Sequence, residues 1–176
     1  MRVAPIRTDE WDADVVKALS VMLSEERIER QDAGTALETL ARNPKLTRAF
    51  LRFNVYLLFG STLPARVREL ATLRVAYRRD CAYEWTHHVR MGAEAGLSAE
   101  AIEAVQRGEG LDDFDQAVIT AVDELEEKSN MTDATCSVLS EHLDEHQRMD
   151  LVFTVGCYGT LAMAFNTFGV VPEQEI

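Results

Sequence analysis

The chain has 176 residues, 47% of them hydrophobic, with 18 Lys plus Arg against 30 Asp plus Glu and a net charge of −12. That length and apolar content suit a single domain, 1–176, with a sizeable core. The acidic balance argues against nucleic acid and against anionic membranes as partners.

The N-terminal stretch Met-Arg-Val-Ala-Pro-Ile-Arg-Thr-Asp-Glu carries no apolar h-region. The longest apolar run, Leu151 to Phe165, is short for a bilayer and is interrupted by Thr and Gly. A cytoplasmic protein is expected. Cys81, Cys136 and Cys157 are odd in number and widely spaced, which reads as free thiols and not as a disulfide framework.

Helical periodicity dominates, and no stretch alternates with period two. A first helix is expected over about 12–24, with Val15, Val16, Leu19, Met22 and Leu23 inward, and a short segment near 34–42. Asn43-Pro44 reads as cap and first residue of a helix reaching about 59, its apolar side including Leu46, Phe50, Phe53, Val55, Leu57, Leu58 and Phe59. Pro64 starts a helix to about 79, and another covers about 81–95 before Gly96. Ser98 and Thr132 cap short helices on either side of a helix at about 113–128. The last helix covers about 145–168, and its Gly156, Gly159, Ala162 and Ala164 would permit close helix approach.

Cys81, Glu84 and His88 stand out. At about 100° per residue, positions i, i+3 and i+7 share one helical face. That face carries a thiol, a carboxylate and an imidazole, the raw material of a cofactor-free active site. With Asp80 as N-cap, Cys81 falls in the first turn, where the helix dipole favours a thiolate. An imidazolium at His88 would act in the same sense, and Glu84 would oppose it.

The spacing extends upstream to give Glu69-x11-Cys81-x2-Glu84-Trp85-x2-His88, followed by Ala-Gly-Leu-Ser at 95–98. This pattern resembles the carboxymuconolactone decarboxylase and alkylhydroperoxidase D-like superfamily, within it the branch with a Tyr83-Glu84-Trp85 signature. The resemblance is strongest over 40–172 and continues through Asp150-Leu-Val-Phe-Thr-Val-Gly-Cys-Tyr to Ala164-Phe-Asn166. It implies an all-α fold, an alkylhydroperoxidase D-like helical bundle, that assembles as a trimer or hexamer. Peroxidase members carry Glu-x11-Cys-x2-Cys-x3-His, with the second cysteine peroxidatic. This chain keeps Glu69, Cys81 and His88 and has Glu84 in place of that cysteine.

Two chemistries follow. In the leading one, a thiol peroxidase, Cys81 attacks a peroxide, Glu84, His88 and Glu69 relay protons, and an external thiol reductant or Cys157 resolves the sulfenic acid. In the alternative, a lyase or isomerase acts on a small carboxylate or lactone with Glu84 and His88 as acid and base. A non-catalytic oligomeric binding module is a third possibility. Tyr83, Trp85 and Cys157 are candidate walls of a small-molecule substrate site. The plainer readings are a core cysteine at 81, an exposed Glu84–His88 pair, and a Glu69 bound to a nearby arginine. Arg66, Arg68, Arg74, Arg78 and Arg79 cluster before the motif and read as subunit salt bridges or a solvated face. No cofactor fingerprint is evident, and His142 with His146 makes a poor metal site, so neither cofactor nor metal is expected.

Overall fold

The computed structural model describes residues 2–173, and within them the fold is all-α, without strands. The chain divides into two compact units, the first formed by residues up to 60 with those from 164 onward, the second by 61–163.

In the first unit, α1 (Ala13–Leu19), α2 (Glu25–Glu29), α3 (Thr35–Leu40) and α4 (Pro44–Val55) are joined by short turns, and a π-helical turn, Tyr56–Gly60, extends α4. The expected 12–24 helix is shorter: α1 ends at Leu19, and Ser24 caps α2 separately by accepting the Arg27 amide. Val15, Leu19, Leu23 and Ala41 share a buried cluster with Ile6 and Ala33. Asn43 caps α4 as anticipated, its side chain accepting from the Leu46 amide. The buried face of α4, however, carries Thr47, Leu51 and Asn54, with Leu57 in the turn beyond. Leu46 and Phe59 of the expected apolar side are exposed, at 62% and 74%. Thr47 is tolerated inside because its hydroxyl donates to the Leu40 carbonyl.

In the second unit, α5 (Ala65–Arg78) is the central helix, packed against α6 (Ala82–Glu94), α7 (Ala99–Arg107) and α8 (Asp113–Lys128). Every residue from Glu69 to Ala76 is buried, as expected of a helix surrounded on all sides. α9 (Asp133–His142) packs on α8. The last helix, α10 (Glu145–Phe168), contributes 145–163 to this unit. It is long and apolar enough to cross a membrane by composition, yet half of its most apolar stretch is buried inside the protein, as in a core helix.

The five arginines of α5 are held within the chain. Arg66 pairs with Asp115, Arg74 with Asp123, Arg78 with Asp123 and Glu127, and Arg79 with Glu126, all on α8, while Arg68 meets Glu69. Arg74 also donates to the carbonyls of Val105 and Gln106, satisfying the end of α7. Gly108 closes that helix at φ +83°, and a Cβ there would lie 2.7 Å from the Arg74 guanidinium, so this position needs glycine twice over. Gly159 of α10 faces the Arg79 guanidinium rather than another helix, and a Cβ at Gly156 would touch nothing within 4 Å.

Candidate functional site

The turn between α5 and α6 sets the position of Cys81. The Asp80 amide donates to the Tyr77 carbonyl at 3.1 Å and the Cys81 amide to the Ala76 carbonyl at 2.9 Å. These two bonds form a Schellman closure of α5, with Asp80 in the left-handed region at φ 49°. Asp80 therefore ends one helix instead of capping the next. The N-cap of α6 is Cys81 itself, whose carbonyl accepts from Trp85 at 3.0 Å. The expected first-turn cysteine is thus one position too far along.

From that start, α6 turns Glu84 and His88 inward, and both are buried with Glu69 of α5. His88 Nδ1 lies 2.6 Å from Glu69 Oε2, and His88 Nε2 lies 3.2 Å from Glu84 Oε2. The imidazole is held between two carboxylates, one on each ring nitrogen. Burial alone would lower its pKa, but the hydrogen bonds and charges of Glu69 and Glu84 outweigh it and push the group up to about 9. His88 is therefore an imidazolium at neutral pH, donating from both nitrogens. Glu69 also accepts from Arg68 Nε at 3.2 Å. Two carboxylates, one imidazolium and one guanidinium make the cluster neutral, which is how so many charges can be buried together.

The two carboxylates are not equivalent. Glu69 is fixed by both Arg68 and His88, whereas Glu84 has His88 as its ion-pair partner and no lysine or arginine among the described residues. The edge of the Tyr158 ring meets His88 with centroids 4.9 Å apart. Burial, joined by the Glu84 and Glu69 charges, holds the Tyr158 phenol well above its usual range and so neutral.

The Cys81 thiol differs from the sequence expectation. It is 1% exposed. Burial raises its pKa, the Glu84 charge adds to that, and the amides of Glu84 and Tyr83 offset the rise in part. The cysteine is held as a thiol, and the helix-dipole argument for a thiolate loses to desolvation. Cys157 is buried beside Tyr158, and no disulfide joins Cys81, Cys136 or Cys157. Tyr83 pairs with the His87 ring at 4.4 Å and Trp85 with the Tyr77 ring at 6.1 Å. His142 stacks on Phe114, and the described residues contain no cluster of three or more metal-ligating side chains. Tyr158 completes the site without having been singled out in the sequence, whereas the Arg68–Glu69 pair is the salt bridge to a nearby arginine that the sequence offered as the plainer reading of Glu69.

Residues 44–127 match the model of the carboxymuconolactone decarboxylase family, a span that includes Glu69, Cys81, Glu84 and His88. No curated protein matches the sequence. Among solved structures, an uncharacterized peroxidase-related protein from Ralstonia eutropha JMP134, described as an alkylhydroperoxidase AhpD core, is similar at TM-score 0.80 and 16% identity, over 98% of this chain and 92% of that one. An uncharacterized peroxidase-related protein from Silicibacter sp. TM1040 is similar at TM-score 0.77 and 15% identity, over 98% and 93%. A protein of unknown function from Agrobacterium tumefaciens, described as a candidate antioxidant defence protein AhpD, is similar at TM-score 0.68 and 19% identity, over 76% and 94%. At these identities the likeness is one of fold.

Proposed function

We propose that this chain is a member of the carboxymuconolactone decarboxylase and alkylhydroperoxidase D-like superfamily and a cytoplasmic enzyme that moves protons on a small carboxylate or lactone, as a lyase or isomerase. The observation that carries this reading is the unequal clamping of His88. Glu69, anchored by Arg68, fixes the ring through Nδ1, in the way a third group orients a catalytic base. Glu84, bound to Nε2 at the longer distance of 3.2 Å, is the carboxylate able to exchange a proton with substrate. Glu84 takes a proton from an acidic C–H, and the His88 imidazolium steadies the charge and returns a proton to product.

This order reverses the one the sequence suggests. A thiol peroxidase is the second reading, favoured by the peroxidase-related names of the structural neighbours. There the Cys81 thiolate would attack the peroxide oxygen, releasing water or an alcohol and leaving a sulfenic acid for an external thiol to reduce. Burial of Cys81 and its raised pKa weigh against that step. Hydrogen peroxide treatment followed by a sulfenic-acid trap and peptide mass measurement separates the two. The acid–base reading predicts that Cys81 stays unlabelled while the less buried Cys136 reacts first. Labelling of Cys81 ahead of the other two would return the thiol reading to first place.

We also propose a homo-oligomer, a trimer or a hexamer built from two trimers. Exposed apolar side chains support it: Leu46 and Phe59 in the first unit, and Met149, Phe153 and Met163 on α10. Light scattering is expected to give a multiple of the chain mass at micromolar concentration; a monomer mass would overturn this.

A further inference from the structure

An acidic chain offers its cations many carboxylates, and most of its arginines take one, as the arginines of α5 do. Among the described residues, the lysines and arginines whose side chains make neither an ion pair nor a hydrogen bond are Lys17, Lys45, Arg48, Arg52 and Lys128. The first four line one pocket in the first unit, a cavity of about 370 Å³. None of its residues belongs to the Glu69–His88–Glu84 cluster.

The sequence places these cations together on purpose of geometry. Lys45, Arg48 and Arg52 stand at i, i+3 and i+7 on α4, so they share one face of that helix. Lys17 reaches the same pocket from α1, which packs against α4. Pro44, the first residue of α4, also lines it, so the positive end of a twelve-residue helix borders the pocket. Asp14 supplies the opposing charge, one carboxylate against four cations. Like charges at these helical spacings repel unless a counter-ion lies between them.

Arg48 is the second observation. It is half-buried, and its Nε is enclosed without a hydrogen-bond partner. A buried guanidinium donor left unsatisfied is uncommon, and it can turn to a ligand without breaking a bond it already has. Planar guanidinium forks match the oxygens of phosphate, and lysines add point charge. The volume lies at the low end of the range for small-ligand sites. We infer that this pocket binds a small phosphate-bearing molecule through Lys17, Lys45, Arg48 and Arg52.

Calorimetric titration of the full chain with inorganic pyrophosphate, at ionic strength matched with sodium chloride, tests this. Saturable binding at one site per chain is expected. Arg48→Gln and Arg52→Gln should each weaken it at least about tenfold, the loss of one charge-assisted contact. His88→Gln should bind as the unaltered chain does, which separates this site from the proton-transfer site. Absence of saturable binding, or binding unchanged in Arg48→Gln with its helix content intact by circular dichroism, would overturn the inference.

Discussion

Glu69→Ala is expected to destabilise the protein by about 3–5 kcal/mol, the cost of breaking a buried ion pair by removing one partner. The substitution removes the acceptor 2.6 Å from His88 Nδ1, and it removes the carboxylate that Arg68 Nε donates to as well. Of its two carboxylate partners the His88 imidazolium would then keep Glu84 alone. The methylene volume lost on α5 adds a cavity on a helix whose following positions, 70–76, are all buried. For a chain of this size such a loss lowers Tm by roughly 10 °C. Glu69→Gln keeps the shape and one acceptor, so it should cost less. A loss below about 1 kcal/mol for Glu69→Ala in urea unfolding would mean that the pair is not the buried strut described above.

Stability is also expected to fall as pH rises from about 6.5 to 9. His88 is raised in the folded chain, to about 9 from an ordinary 6.5. The folded state therefore holds a proton that the unfolded state releases. The stabilisation is complete below pH 6.5 and is lost as pH climbs through the folded value. A shift of this size corresponds to about 3 kcal/mol. Other shifted groups act elsewhere: Glu10, Glu100 and Glu124 are lowered and titrate in acid, whereas Cys81 and Tyr158 are raised from already high values. His88→Gln should flatten the alkaline slope between pH 6.5 and 9. An unchanged slope in that variant would assign the effect to another group.

Helix placement follows closely from caps and periodicity. The expected spans for α8 and α10 coincide with the observed helices, because Asp112 and Asp144 sit before strongly periodic runs. Asn43 and Ser98 also cap as read, since their oxygens reach the amides three residues on. Burial along α4 does not follow, because Thr47 and Asn54 take inner places and leave Leu46 and Phe59 outside. Side-chain hydrophobicity alone misassigns a helix when polar residues inside are hydrogen-bonded.

The site divides in the same way. Glu69, Glu84 and His88 converge because helical spacing brings the last two to one face and α5 packs on α6. Asp80 looks like a cap in sequence, yet the Schellman closure uses it to end α5. That is a choice between two local motifs, and the long-range packing of α5 on α6 decides it. The thiol state of Cys81 depends on burial, which local spacing does not reveal. Tyr158 lies seventy residues from His88 in the chain, and its ring contact exists through tertiary packing alone.

The central claim is a His88 clamped by Glu69 and Glu84 and charged at neutral pH, and the direct measurement is its imidazole titration by nitrogen-detected NMR. The ring nitrogens should both remain protonated through neutral pH, with a midpoint near 9 that falls in Glu84→Gln. A midpoint at or below the ordinary 6.5, or a ring neutral at pH 7, would contradict the account.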